Sequence, residues 1–264
     1  MSHTHPVLIP ADPNKIHHHY PYAANIGHLL WITQTIHPDI MFIVCLLAQF
    51  TNAYNDSHVH VMKQVFQYLA STMHIGLTFN GNQPFKLVAY SDSDYGMQHG
   101  RKLISGVAIL LRGTIVTWAS LKQSSIAISM MEAECYTLSK AVQEVIWIRN
   151  FMFHLGFLIS SPTTILVDNA AMIAYSSNPI QCTCAKHIDI QFQFVHDTIS
   201  KKYIEIGPIP SRDNLVDVFT KPLPYNQFWH LANDYLGTRQ ADYGINLGMH
   251  SPIWLYHDDV EKSF

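Results

Sequence analysis

The sequence predicts an α/β fold: a mixed sheet, three antiparallel strands followed by parallel ones, with helices on both faces and a small helical segment in front. Three observations lead there. From about Phe85, strand-like and helix-like runs follow one another in the order βββ-α-β-α-α-β-α. Tight-turn signals close the first strands, and a long helical run ends at Gly156, a natural C-terminal cap. Hydrophobic residues make up 48% and charged residues 13%, which suits a chain with a substantial core and argues against disorder.

Residues 1–20 form a polar N-terminal segment. Residues 21–80 read as helical. Tyr22, Ile26, Leu29, Leu30 and Ile32 recur at helical spacing, and Pro38 opens a second apolar helix through Phe50. Asn55 or Asp56 caps a third, whose apolar face carries Val59, Met62, Val65, Phe66 and Leu69. Such wide apolar faces must pack on something, and left exposed they predict poor solubility or association.

At Ile75 the period changes. Ile75–Phe79 and Lys86–Ser91 are strand-like across the turn signal Asn80-Gly81-Asn82, and two more strands, near Val107–Leu111 and Ile115–Trp118, meet at Arg112-Gly113. A helix then runs from about Ser129 to Leu155. Thr163–Val167 is a strand, Asp168–Tyr175 and Lys186–Ser200 are helices, Tyr203–Ile209 is the last strand, and Asn214–Thr220 starts a helix stopped by Pro222. These elements make one domain of residues 85–223, followed by a C-terminal helix and loose tail over 224–264.

The formal net charge is −3 with only 16 Lys and Arg, an unhelpful balance for gripping phosphates, and 17 histidines are the compositional oddity. Met1–Lys15 has no apolar signal-like run, so Cys45, Cys135, Cys182 and Cys184 are expected as reduced thiols in an intracellular, not secreted, protein. No apolar run approaches a bilayer span, so no membrane partner is expected.

Four acids carry the chemistry. Asp92, Asp168 and Asp217 sit at or near strand ends or helix starts, where ligand sites in α/β sheets collect, and Glu134 lies about one turn into the long helix. Carboxylates that converge repel one another unless a cation neutralises them, which points to Mg²⁺ or Mn²⁺. Two such ions about 4 Å apart activate water and stabilise a phosphodiester leaving oxygen. On position alone, helix capping or a solvated surface role is the more economical reading of each acid.

Tyr90-Ser91-Asp92-Ser93-Asp94-Tyr95 resembles the opening motif of the ribonuclease H domain in copia-type retrotransposon Pol polyproteins. Further matches follow in the family's order: Ser105-Gly106, Trp118-Ala119-Ser120-Leu121-Lys122-Gln123, Glu132-Ala133-Glu134, Ile146-Trp147-Ile148-Arg149, Asp168-Asn169, Lys186-His187-Ile188-Asp189 and Asp217-Val218-Phe219-Thr220-Lys221-Pro222-Leu223. Gly27-His28-Leu29-Leu30 and Pro38-Asp39-Ile40 resemble the segment after the polymerase palm, so the likeness covers about Pro13 to Gly237.

The resemblance implies a ribonuclease H-like fold and a metal-dependent endonuclease that cuts the RNA strand of RNA–DNA hybrids, with Asp92, Glu134, Asp168 and Asp217 holding two Mg²⁺ or Mn²⁺ ions. Residues 21–80 become a remnant of the reverse transcriptase thumb or connection, with the upstream palm and fingers missing from this chain. The expected location is cytoplasmic, in a virus-like particle, and nuclear. Asp94 and Glu132 are near neighbours of the acids; a helix turns about 100° per residue, so Glu132 and Glu134 cannot face the same ions. Lys122, Gln123, Asn169, Lys186, His187 and Arg212 are the candidate nucleic-acid contacts, although isolated basic residues are more often merely solvated.

Rival signals are weaker. Tyr256-His257-Asp258-Asp259 imitates a polymerase turn but sits in the tail, so no polymerase centre is expected in this fragment. Cys182, Cys184, His187 and His196 depart from zinc-ligand spacing. The sequence also departs from the family. His37, Cys184, Gln191 and His196 stand where arginine is common, Leu103-Ile104 replaces a Ser-Thr pair, and Met130-Met131 replaces Ser-Thr ahead of Glu134. Arginine to His, Cys or Gln, Ser to Leu and Thr to Met or Ile can each arise from a single C-to-T transition on one DNA strand, the pattern expected of a decaying transposon copy. The alternative function is therefore a catalytically inactive, decayed transposon remnant that keeps the fold and at most binds nucleic acid.

Overall fold

The computed structural model describes residues 8, 20–79, 82–94, 103–123, 130–177 and 186–237. They fall into two compact units, one of residues 78–221 and one that joins residues 1–77 to residues 222–264. The sequence candidates Cys182, Cys184 and Tyr256 to Asp259 lie outside the described residues.

The helical unit begins with α1 (Tyr22–Thr35). Pro38–Ile40 is a 3-10 turn, and α2 (Met41–Ala48) follows, so the apolar run through Phe50 starts tighter and stops sooner than its period suggests. Asn55 caps α3 (Asp56–Ser71): its side-chain oxygen accepts from the backbone N–H of Ser57 and His58, while His58 Nδ1 accepts from the N–H of Asn55. Tyr22, Leu29, Ile40, Leu47, Met62 and Val65 fill the centre. Asp39 is buried there and accepts hydrogen bonds from Tyr68 Oη at 2.5 Å and His37 Nδ1 at 3.2 Å. Of the strand-like run at Ile75–Phe79, only Gly76–Leu77 is strand (β1), and it pairs outside the main sheet.

The second unit is built on five strands. β2 (Leu87–Asp94), β3 (Ile104–Leu111) and β4 (Thr114–Lys122) form an antiparallel meander. Arg112 and Gly113 both take positive φ at the two-residue turn between β3 and β4, as a turn matching strand twist requires. α4 (Met130–His154) ends as expected. Gly156 is left-handed at φ +86°, its N–H reaches Phe153 O, and the N–H of Phe157 reaches Met152 O, a Schellman closure.

β5 (Thr163–Val167) then pairs parallel with β2. After α5 (Ala170–Ser177) and α6 (Lys186–Ser200), β6 (Ile204–Pro208) pairs parallel with β5. A 3-10 turn at Ser211–Asp213 leads into the short α7 (Asp217–Thr220). The strand order is β4-β3-β2-β5-β6: three antiparallel strands, then parallel ones, with β2 at the centre. This is the ribonuclease H-like mixed sheet that the resemblance implies.

Alternation along the strands separates two faces. Leu87, Ala89, Val107 and Ile109 pack against Leu138, Val142 and Val145 of α4, forming the core with Val195 of α6. Gly106 opens to the opposite face, where α7 lies. From Pro222 the chain belongs to the helical unit. α8 (Tyr225–Ala232) brings Trp229 near Tyr68, and β7 (Leu236–Gly237) pairs antiparallel with β1. Trp31, Ile36 and Met73 remain exposed on this unit. Among the described residues no helix is long and apolar enough to cross a membrane.

Candidate metal centre

The central strand β2 and its parallel neighbour β5 end side by side. Tyr90 lies opposite Leu166, and two residues beyond each come Asp92 and Asp168. In an open sheet the connections diverge at such a point, and the carboxyl ends of the strands form a crevice. Asp92 pairs across the ladder with Gly106 of β3. A Cβ at Gly106 would stand 2.2 Å from Val216 Cγ1 and 2.6 Å from Thr220 Cγ2, so only glycine lets α7 settle on this strand. That approach puts the Thr220 hydroxyl on Asp92 Oδ2 at 3.0 Å and brings Asp217 to the same end of the sheet.

Glu134 arrives from the other face. Ser105 Oγ lies 2.6 Å from Thr137 Oγ1, and Gln123 Nε2 donates to Ser105 Oγ at 2.8 Å and to Ala133 O at 3.3 Å. These bonds tie the first turns of α4 to β3 and the end of β4, so Glu134 is held where its carboxylate senses Asp92 and Asp168. Asp168 accepts from Ser211 Oγ at 2.6 Å, and Asp217 Oδ1 is 2.9 Å from Lys221 Nζ.

The electrostatics follow from burial. Asp92, Glu134 and Asp217 are all less than a tenth exposed. Burial, then the charges of Asp92 and Asp168, pushes Glu134 up to about 8. Burial pushes Asp217 up to about 7; Lys221 opposes the shift, and Asp92 and Asp168 add to it. Asp92 is raised as well, by burial first, with Lys221 opposing and Asp168 adding. The four acids named from the sequence therefore share one electrostatic neighbourhood.

The other candidates scatter. Lys122 is exposed at the end of β4, and Arg212 is exposed beside Asp213. Asn169 Oδ1 accepts from the N–H of Met172, capping the start of α5. Gln123 is buried, and its amide is used inside the fold rather than at the surface. Lys186 and His187 open α6, with side chains outside the described set, as is that of Asp94; Glu132 is half-buried. Sequence reasoning assigned no role to Gly106, Thr220, Lys221, Ser105 or Ser211. The first four stand inside motifs already noted, but only tertiary contact reveals what each touches.

Comparison with known proteins supplies a lineage. The Pol polyprotein from transposon RE1 of Arabidopsis thaliana is 28% identical over 219 residues, covering 83% of this chain. That of transposon TNT 1-94 from Nicotiana tabacum is 28% identical over 218 residues, covering 82%. The chain is homologous to copia-type Pol polyproteins. It spans 15% and 16% of the length of those two Pol polyproteins. No protein-family model matches it. Among solved structures, LC11 ribonuclease H1, isolated from compost, is 14% identical and aligns over 52% of this chain and 93% of that one at a TM-score of 0.41. The fold is read from strand order and direction, not from that overlay.

The donors suit a hard divalent ion, since all four are carboxylate oxygens. Asp92, Glu134 and Asp217 are buried with the Lys221 ammonium acting on all three, which leaves an excess of acid that a divalent cation would relieve. Among the described residues no three His, Cys, Asp or Glu side chains close on one point. Thr220, Ser211 and Lys221 each draw one of the three aspartates to a separate partner.

Proposed function

We propose that residues 85–223 act as a metal-dependent endonuclease of ribonuclease H type, hydrolysing the RNA strand of RNA–DNA hybrids as part of a Pol polyprotein. The observation that carries this reading is the shared electrostatic neighbourhood of Asp92, Glu134, Asp168 and Asp217, with Asp92 and Asp168 near the carboxyl ends of the paired strands β2 and β5. Asp92 and Asp217, drawn together by the close approach of α7 to Gly106, would hold one side of the ion site, with Glu134 and Asp168 completing it. Two Mg²⁺ or Mn²⁺ ions, if held by these carboxylates, would supply an activated water and charge neutralisation at a phosphodiester.

The chain's own residues do the positioning. Gln123, Ser105 and Thr137 fix the start of α4, and Ser211 orients Asp168. Arg212, next to Ser211, and Lys122 at the end of β4 offer exposed positive charge to phosphates. Lys186 and His187 at the start of α6 are assigned the same task. Selection of a hybrid rests on the 2′-hydroxyl and minor-groove shape rather than on base sequence.

The net charge of −3 favours a second reading, in which the fold persists as an inactive remnant with weak nucleic-acid binding. Offering purified protein with Mn²⁺ three labelled substrates (an RNA–DNA hybrid, duplex RNA and duplex DNA) tests the assignment. Cutting confined to the RNA strand of the hybrid supports it. Equal cutting of duplex DNA points to another nuclease class.

A further inference from the structure

The carboxylate cluster already has a cation beside it. Lys221 Nζ lies 2.9 Å from Asp217 Oδ1, one turn along the chain, with side chains 32% and 6% exposed. The same ammonium acts on Asp92 and Glu134 as well, opposing the rise that burial causes in each. Lys221 is thus a positive charge shared by three of the four acids. Asp92 itself takes a neutral donor, Thr220, and Asp168 takes another, Ser211.

We propose that Lys221 is the resident counter-cation of this cluster, and that a divalent ion displaces its ammonium from Asp217 on binding. The inference rests on the metal-site reading given above. A Mg²⁺ ligand must approach to about 2.0–2.1 Å and demands near-octahedral geometry. Asp217 cannot serve the ion from the oxygen that Lys221 occupies without placing two cations side by side. The lysine has somewhere to go, because its side chain is a third exposed and its four-carbon stem is flexible.

The arrangement accounts for two features together. In the ion-free chain, three buried acids at the end of one sheet repel, and an ammonium at Asp217 offsets part of that while α7 stays seated on β3. The same contact draws Asp217 away from a common point, in keeping with the separate partners of the three aspartates. Lys221 therefore sets a threshold: a monovalent ion gains little by replacing another single charge, whereas a divalent ion does.

Mn²⁺ titration of the full chain, followed by electron paramagnetic resonance and by thermal unfolding, tests this on wild type, Lys221→Met, Lys221→Arg and Asp92→Asn. Lys221→Met is expected to bind Mn²⁺ about threefold or more tightly than wild type, because a competing charge is gone. It should also melt at lower temperature without the ion and gain more from it. Lys221→Arg keeps the charge and is expected to restore wild-type affinity. Unchanged or weaker binding by Lys221→Met, while Asp92→Asn abolishes binding, would overturn the counter-cation role and leave the metal site standing. No Mn²⁺ bound by wild type or Lys221→Met would overturn both. Should Lys221→Met not fold, the Lys221 ε-CH₂ and Nζ resonances of wild type give the same answer. A shift on adding Mg²⁺ that Asp92→Asn lacks supports displacement, and no shift in an ion-bound protein refutes it.

Discussion

Thr220 donates its hydroxyl to Asp92 Oδ2 at 3.0 Å, joining the central strand to a four-residue helix 128 positions later in the chain. The bond exists because Gly106, the cross-strand partner of Asp92, has no side chain to hold α7 away. Whatever the four acids do together depends on that close approach.

Gly106→Ala is therefore expected to damage the site more than its size suggests. The added methyl would meet Val216 Cγ1 at 2.2 Å, so α7 must shift and draw Thr220 and Asp217 with it. A stability loss of about 1–3 kcal/mol is expected from overpacking. Urea unfolding reads the loss, and cleavage should fall further than the unfolded fraction explains. Full activity at reduced stability would separate the seating of α7 from the site.

The ion-free protein should lose stability as pH rises. Glu134 at about 8 and Asp217 at about 7 lie above their unfolded values of about 4.3 and 3.9, so the folded state holds more protons within those windows. Stability is then full below the unfolded values and is lost as pH rises towards about 8, by several kcal/mol at about 1.4 kcal/mol for each pH unit between the folded and unfolded values. Urea midpoints at about pH 5.5 and about pH 8.5, with chelator present, measure the fall. Glu134→Gln should flatten it, and Mn²⁺ should stabilise more at the higher pH. A midpoint that rises with pH would contradict the buried-acid account.

Arg149 ties the chain ahead of β5 to α4. Its Nη1 donates to Ser161 O and Thr163 Oγ1, both at 2.9 Å, and its Nη2 to Ile159 O at 2.7 Å. A lysine cannot reproduce this planar fork, so Arg149→Lys is expected to cost about 2 kcal/mol despite keeping the charge. A lower denaturation midpoint with an unchanged slope is the expected signature. Wild-type stability would show that these bonds are not needed.

Asn55→Ala tests the helical unit separately. Asn55 and His58 cap α3 reciprocally, and removing the side chain should cost about 1 kcal/mol. Hydrogen exchange at Ser57 and His58 is the local readout. Unchanged protection at both amides would deny the cap a stabilising role.

Much of this architecture was legible in the sequence, because local signals and tertiary structure agree. The stop at Gly156, the Arg112-Gly113 turn and the strand at Thr163–Val167 are chemical instructions within a few residues. The four acids were legible as an ordered set of motifs, and the fold brings them into one electrostatic neighbourhood. What escaped was non-local. The Ile75–Phe79 run offers a good strand pattern but pairs, through Gly76–Leu77, with a segment at Leu236–Gly237. Gln123 is a candidate nucleic-acid contact from its motif, yet its amide is spent on Ser105 and Ala133. Neither partner lies within the window in which a sequence pattern operates.

Cleavage of a labelled RNA–DNA hybrid in Mg²⁺ or Mn²⁺, by wild type beside Asp168→Asn, tests the central claim most directly. Asp168 is half-buried and held by one hydroxyl, so the amide should keep the fold while removing a charge from the cluster. Metal-dependent cutting of the RNA strand that disappears in Asp168→Asn is the expected result. Folded wild-type protein that binds the hybrid and leaves it intact, or an Asp168→Asn variant as active as wild type, would contradict the assignment of these four acids.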